Sequence, residues 1–103
     1  MNFNEKVYKE CKKIPKGKVS TYKEIGKKLN TRAYRAIGQA LKNNPYPIQV
    51  PCHRVVSSQG KLHGFKGKTK GKALKEKQRM LEEEGLTIIN NKIQDFQDKL
   101  FTF

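Results

Sequence analysis

Apolar side chains recur at helical spacing from the start of the chain. The first set occupies one face of a helix and comprises Phe3, Val7, Tyr8 and Cys11. Either Asn2 or Asn4 is placed to cap the first turn with its side-chain oxygen. The pattern therefore predicts a first helix with Cys11 on its buried face.

Two further helices are predicted between residues 21 and 43. The segment TYKE at 21–24 has the Thr-x-x-Glu pattern of a capping box and opens a helix through Leu29. A third helix begins near Thr31, and its apolar positions follow the i, i+3, i+4, i+7 rule: Ala33, Ala36, Ile37, Ala40 and Leu41. Its other face is polar: Arg32, Arg35, Gly38, Gln39 and Lys42. Prolines in NNPYP then end it.

Two short helices joined by a tight turn, with a basic second helix, indicate a helix-turn-helix. A helical hairpin with an exposed basic face is the alternative. Farther on, IQV at 48–50 is read as a short strand, 55–65 as a strand, glycine turn and strand, and 67–72 as a basic loop. A last helix spans 73–84, with Gly85 as its terminator. DFQDKLFTF at 95–103 is either a closing helix or a tail.

These elements predict a mainly α fold: a winged-helix-like helix-turn-helix domain with a small wing of two or three strands. The chain has 103 residues, enough for one domain with one modest core, and we expect residues 1–103 to form that domain. No apolar run is long enough to span a membrane, and no signal peptide precedes the first helix. We therefore expect an intracellular protein that binds no membrane.

Charge narrows the class of partner. The chain carries 23 Lys and Arg against 9 Asp and Glu, and its formal net charge is +14. Residues 1–75 hold 19 basic and 3 acidic side chains, whereas residues 76–103 hold 4 and 6. A basic field confined to one part of the fold favours nucleic acid or an anionic surface as partner. Lysine-rich surfaces that serve only solubility or thermal adaptation are the alternative.

The segment NPYPIQVPCHRVV at 44–56 places Cys52 directly beside His53. Cys52 could form a disulfide, bind a metal, pack as an inert thiol or act as a nucleophile. A reducing compartment disfavours a bridge to Cys11, and the paired Cys-x-x-Cys spacing of a zinc site is absent, so we expect no metal. A nucleophilic thiol needs a neighbouring base, which His53 supplies if the prolines bend the backbone or a water bridges the two.

Four segments resemble the O6-alkylguanine-DNA alkyltransferases, also called methylated-DNA–protein-cysteine methyltransferases. They are VSTYKEIG, YRAIGQALKNNPYPIQVPCHRVV, GKLHGF and KQRMLEEEG, and the resemblance runs from about residue 3 to 85. It implies a winged-helix-like domain that binds double-stranded DNA, flips O6-alkylguanine out and moves the alkyl group irreversibly to its own cysteine. It implies no cofactor and a monomer; whether copies bind cooperatively is open.

The resemblance also implies roles for individual residues. Cys52 is the acceptor, His53 takes its proton through a water, and Glu84 orients His53, with Glu83 as the fallback across a longer 66–76 loop. Tyr22 rotates the nucleotide out and donates to guanine N3, and Asn44 holds the helix-turn-helix against the active-site segment. Arg35 takes the place of the flipped base. The remaining DNA contacts implied are Thr21, Ala33, Ala36, Gly38 and Gln39. The helix is used in the minor groove, where the small side chains of Ala33, Ala36, Gly38 and Ala40 permit close approach.

Main-chain carbonyls of Cys52 and Val55 would accept from the guanine amino group. The pocket would be walled by Pro47, Gly64, Phe65 and Lys66. We expect the usual N-terminal domain of this family to be absent and residues 86–103 to be a C-terminal extension. Such a protein would act in the cytoplasm on the nucleoid, or in the nucleus of a eukaryote.

Two other functions stay open. Alkyltransferase-like proteins are similarly compact and recognise alkylated guanine without repairing it, but they replace the acceptor cysteine, which is present here. A plain winged-helix binding module would need no Cys-His pair and should prefer particular sequences. Whether Cys52 acquires an alkyl group separates both from a repair protein.

Overall fold

The computed structural model describes residues 1–46, 48–62 and 71–103. The fold is mainly helical, as the sequence predicts. Its helices are α1 (Phe3–Cys11), α2 (Tyr22–Leu29), α3 (Tyr34–Lys42), α4 (Lys72–Glu83) and α5 (Phe96–Lys99). The short strands are β1 (Ser20–Thr21), β2 (Val55–Val56), β3 (Ile88–Ile89) and β4 (Lys92–Ile93), and a 3₁₀ turn covers Cys52–Arg54.

Helix α1 forms as its apolar spacing predicts. Asn2 is the cap: its Oδ1 accepts from the backbone N–H of Glu5 at 2.8 Å, and the Glu5 carboxylate accepts from the Asn2 backbone N–H at 3.3 Å. This reciprocal pair satisfies donors that the first turn leaves free. Val7, Tyr8 and Cys11 are buried, which confirms the predicted inner face.

Helices α2 and α3 make the tight helical pair. The Thr21 hydroxyl caps α2 by accepting from the Glu24 backbone N–H at 3.0 Å. The helix ends at Asn30, whose left-handed φ of 56° turns the chain. A Cβ on Gly26 would lie 2.6 Å from the Tyr34 ring and 2.8 Å from the Thr31 carbonyl oxygen. Only glycine therefore permits this close approach of the two helices.

Helix α3 differs from expectation in two respects. It begins at Tyr34 rather than near Thr31, because the left-handed turn after α2 occupies the intervening residues. Ile37, Ala40 and Leu41 are buried as predicted, but Ala33 and Ala36 are exposed. Alanine is found both in protein cores and on exposed surfaces, so the sequence pattern predicted a wider buried face than helix α3 has.

The two sheets of the described residues differ from the predicted wing. β1 pairs with β2 in parallel, with Ser20 opposite Val55, so the strand at 55–56 pairs with a segment far back in the chain. Most of the predicted second strand of the wing and of the predicted basic loop at 67–72 lies outside the described residues. Within those residues the hairpin is β3–β4, with Ile88 opposite Ile93. Residues 48 and 49 lie in a turn and not in the predicted strand, and Ile48 has a φ of 76°. Periodicity in such short runs does not specify a partner.

The last residues pack onto the fold. Gly85, with φ of 96°, follows α4 as predicted. After the β3–β4 hairpin and α5, the Phe101 backbone N–H donates to the Val19 carbonyl at 2.7 Å, and the Ser20 hydroxyl donates to the Phe101 carbonyl at 2.8 Å. The terminal segment thus runs beside β1 instead of forming a free tail.

Two apolar clusters result. One joins α1, α2 and α3 to Val50 and Val55, and Tyr22, Cys52, Phe101 and Phe103 pack against it. The other joins Val19 and Val56 to α4 and the β3–β4 hairpin. Because β2 contributes to both and pairs with β1, the parallel pair ties helices α2 and α3 to α4. None of the helices in the described ranges has the length and apolar character that a membrane crossing requires.

Candidate active site and DNA interface

The 3₁₀ turn Cys52–Arg54 sets the directions of three neighbouring side chains. Two backbone hydrogen bonds hold it: the Cys52 N–H donates to the Val50 carbonyl at 2.8 Å, and the Arg54 N–H donates to the Pro51 carbonyl at 2.9 Å. Three residues complete a 3₁₀ turn, so Cys52 and His53 diverge by about a third of a turn rather than pointing to opposite faces. The Cys52 thiol is half-buried, and His53 is only 2% exposed.

The carboxylate that meets His53 belongs to Glu84, which follows α4 directly. Glu84 Oε2 lies 2.9 Å from His53 Nε2. Glu83 points the other way and pairs with Arg79 at 2.7 Å, where both side chains are largely exposed. An ionised carboxylate only accepts hydrogen bonds, so Nε2 carries the proton and Nδ1 is the acceptor of the neutral ring.

Arg54 is a member of this cluster that the sequence did not identify. Its Nε donates to Glu84 Oε1 at 2.9 Å and its Nη2 to Glu84 Oε2 at 2.8 Å, which is a two-point contact. Its Nη1 donates to the Ile14 carbonyl at 2.8 Å. The available signal was its place in the motif beside Cys52 and His53, but a basic side chain next to a cysteine has no unique local role.

Burial and neighbouring charge act in opposite directions on the acid and the base. Burial is the largest influence on His53 and holds its pKa below the ordinary value, although the Glu84 hydrogen bond acts to raise it. Burial alone would raise the pKa of Glu84, but hydrogen bonds from Arg54 and His53 outweigh it, and that pKa lies below the usual range. The site thus holds a charged carboxylate beside an imidazole that readily stays neutral.

Tyr22 and Asn44 both lie close to the segment that carries Cys52. Tyr22, the first residue of α2, packs with Cys52 against the same apolar cluster, and burial raises its pKa to about 12. Asn44 bridges the end of α3 to this segment: its Nδ2 donates to the Val50 carbonyl at 2.9 Å, and its Oδ1 accepts from the Tyr46 backbone N–H at 2.8 Å.

Lys77 is the second residue that the sequence did not single out. It lies on α4 between Leu74 and Leu81, is fully buried, and its Nζ donates to the Val55 carbonyl at 2.8 Å. Burial lowers its pKa to about 8, against the influence of the two cysteines, which raise it. A lysine in the apolar stripe of a helix was the signal that could have found it. The predicted pocket carbonyl of Val55 therefore already accepts one hydrogen bond.

The predicted DNA-contacting side chains of α3 lie on its outer side. Ala33, Arg35, Ala36 and Gln39 are exposed. Gly38 is half-buried, and a Cβ there would meet nothing within 4 Å. Thr21 is different, because it is 3% exposed and its hydroxyl caps α2, so its side chain does not belong to this surface.

The predicted pocket residues Pro47, Gly64, Phe65 and Lys66 lie outside the described residues. Cys11 and Cys52 are both free thiols, and burial raises the pKa of Cys11 to about 12. Within 1–46, 48–62 and 71–103, no group of three or more His, Cys, Asp or Glu side chains is arranged to hold a metal ion.

The sequence and fold of this chain match those of a known protein family. The family described as "6-O-methylguanine DNA methyltransferase, DNA binding domain" matches residues 2–86. The chain belongs to this family. Its sequence is 45% identical over 87 residues to a methylated-DNA–protein-cysteine methyltransferase of Sulfolobus acidocaldarius, covering 84% of this chain and 52% of that protein. The chain thus spans about half the length of the curated relatives it matches.

Solved structures agree with this family assignment. Mycobacterium tuberculosis OGT in complex with DNA superimposes with a TM-score of 0.73 at 38% identity, covering 82% of this chain and 50% of that one. S. pombe Atl1, in complex with damaged DNA containing O6-carboxymethylguanine, gives a TM-score of 0.77 at 29% identity. That match covers 98% of this chain and 95% of Atl1.

Proposed function

We propose that this protein repairs O6-alkylguanine in double-stranded DNA by moving the alkyl group irreversibly to Cys52. The observation that carries the proposal is the half-buried free thiol of Cys52 beside His53, whose ring is hydrogen-bonded to Glu84 at 2.9 Å. A thiol next to an oriented, neutral imidazole is the arrangement that nucleophilic cysteine chemistry requires. Membership of the family supplies the substrate class.

In the proposed reaction His53 takes the Cys52 proton through a bridging water, and the thiolate sulfur attacks the alkyl carbon on O6. A carbon–sulfur bond forms as the carbon–oxygen bond breaks, and the electron pair moves into the guanine ring. The Tyr22 hydroxyl donates to N3 and stabilises the departing guanine. No cofactor takes part. The thioether has no route back to the thiol, so each molecule acts once.

Binding follows from the outer side of α3. We infer that α2 and α3 bind DNA in the manner of a winged-helix domain. The small exposed side chains of α3 approach the minor groove, and Arg35 fills the space that the flipped base leaves. Extruding a base costs a few kcal/mol, which such an inserted side chain partly offsets. Repair must ignore sequence, so phosphate contacts dominate and affinity falls steeply with salt. We expect the protein to act as a monomer, in the cellular compartment that contains the DNA.

Intact mass spectrometry tests the proposal. The protein is mixed with an oligonucleotide containing one O6-methylguanine, and digested peptides are then mapped. We expect one methyl group per molecule, on the peptide containing Cys52, with no further turnover under excess substrate. Cys11 serves as an internal control because it is fully buried. The Cys52→Ser variant should bind the lesion without reacting, and methyl transfer by that variant would refute the mechanism.

A second candidate is a lesion sensor that binds alkylated guanine without transfer. The superposition on Atl1, with a TM-score of 0.77 at 29% identity, favours it, because that structure holds damaged DNA containing O6-carboxymethylguanine. The free thiol at Cys52 argues against it. Tight, lesion-specific binding with no mass change in the wild-type protein would establish the sensor instead.

A further inference from the structure

Arg54 shares the carboxylate that bonds to His53. Glu84 Oε2 receives the Arg54 Nη2 donor at 2.8 Å and lies 2.9 Å from His53 Nε2, while Oε1 receives Arg54 Nε at 2.9 Å. Both oxygens of Glu84 are therefore engaged by a cation that stays charged at any pH the fold survives. The three side chains are 3%, 12% and 17% exposed for His53, Glu84 and Arg54, so solvent screens these contacts only weakly.

Arg54 is itself anchored from a third element. Its remaining donor, Nη1, reaches the carbonyl of Ile14, a fully buried residue in the segment after α1. The guanidinium thus joins the end of α1, the 3₁₀ turn and the end of α4. A lysine could supply the charge but not three donors in a fixed plane.

We propose that Arg54 is a positioning residue that holds Glu84 as a carboxylate against His53 and thereby fixes the ring with Nε2 protonated and Nδ1 free to accept. This rests on the proposed function, in which His53 takes the Cys52 proton. A neutral Glu84 could donate to the ring and reverse the tautomer, which would remove the acceptor nitrogen. The two-point contact prevents that, because protonating Glu84 would break one of its bonds to Arg54.

The charges around His53 define the direction of the effect. Glu84, one residue past α4, Lys77 on α4 and Arg54 in its own turn act on its charge, and Cys52 is its neighbour in sequence. Burial is the main cause that lowers the His53 pKa, Glu84 raises it, and the charges of Arg54 and Lys77 lower it further. Removing the Arg54 charge should therefore raise the His53 pKa. The ring would then be protonated, and lost as a base, at a higher pH than in the wild type.

The test is ¹⁵N NMR of histidine-labelled protein, titrated from pH 5 to 8.5 in the wild type, Arg54→Gln and Arg79→Gln. His53 signals are identified by their loss in His53→Gln. In Arg54→Gln we expect the His53 pKa to move upward and the Nδ1-protonated tautomer to gain population. Arg79→Gln is the control, since Arg79 forms an exposed ion pair with Glu83 on α4 and not with Glu84, and it should leave both readouts unchanged.

Arg54→Lys keeps the positive charge without the planar two-point contact, and it replaces Arg54→Gln in the test if that variant fails to fold. We expect it to restore most of the pKa while the tautomer change persists. A folded Arg54 variant with the wild-type pKa and tautomer would overturn the proposal. Single-turnover methyl transfer is measured in parallel, and its pH midpoint should rise in Arg54→Gln. If the wild type transfers no methyl group, the proposed function fails while the NMR result on Arg54 still stands.

Discussion

Replacing Lys77 by methionine should stabilise the protein at neutral pH. Lys77 is the largest fully buried side chain among the described residues. Burial lowers its pKa from 10.5 to about 8. Below pH 8 the side chain is thus charged in an environment that disfavours the charge. Methionine fills a similar volume as a neutral chain, so the substitution removes the charge and leaves little cavity.

The size and sign of the effect follow from the pKa. Between about pH 8 and 10.5 the unfolded chain binds more protons at this lysine than the folded chain does. The contribution of Lys77 to the free energy of unfolding therefore increases with pH in this interval. Below that interval the buried charge costs on the order of 3 kcal/mol. Methionine also loses the hydrogen bonds of the ammonium, including the one to the Val55 carbonyl, each worth about 1 kcal/mol net. The variant should gain about 1–2 kcal/mol at pH 7 and be about 1–2 kcal/mol less stable than the wild type above pH 10.5.

Urea denaturation followed by far-ultraviolet circular dichroism measures this, because the chain has no tryptophan to report by fluorescence. The quantity is the difference between Lys77→Met and the wild type from pH 6 to 10.5, which cancels the titration of other groups. Lys75→Met is the control, since Lys75 is exposed on the same helix and should show no trend. A Lys77→Met protein that is about 2 kcal/mol or more less stable at pH 7 would refute the reasoning and assign the cation a net stabilising role.

Three other substitutions test separate parts of the molecule. Tyr22→Phe should slow single-turnover methyl transfer about tenfold or more while lesion binding is kept, and an unchanged rate would remove the hydroxyl from the mechanism. Gly26→Ala places a Cβ 2.8 Å from the Thr31 carbonyl oxygen, so urea denaturation should show a loss of about 1–3 kcal/mol; a neutral result would mean that α2 and α3 separate freely. Phe101→Ala should cost about 1–3 kcal/mol and speed hydrogen exchange at the backbone amide of residue 101, whereas no change would make the terminal segment dispensable.

Local patterns predicted the helices well because their signals lie within a few residues. The Asn2 cap, the Thr21 cap and the stop at Gly85 each act within one turn, and all three are present. The exposed alanines of α3 show where that reasoning ends. Spacing places Ala33 and Ala36 beside Ile37, but only the position of α1 and α2 decides which side of α3 is covered.

Pairing between distant segments was not predictable from periodicity. β2 joins β1 across more than thirty residues, and two-residue strands carry no alternation that could name a partner. The same limit applies to the site. Cys52 and His53 stood out because they are adjacent, whereas Arg54 and Lys77 acquire their roles only when α4 is brought against the 3₁₀ turn.

The acidic end of α4 shows how a local conflict can point to a site. Three glutamates at a helix C-terminus oppose the helix dipole, and two of them have local partners: Glu82 accepts from Gln78, and Glu83 pairs with Arg79. Only Glu84, one residue past the helix, turns inward. There Arg54 offsets the unfavourable helix end with two direct hydrogen bonds, and charge-assisted bonds of this kind outweigh the dipole penalty. The position that helix energetics disfavours is thus the one that brings a carboxylate to His53, and its stability depends on a cation from another element.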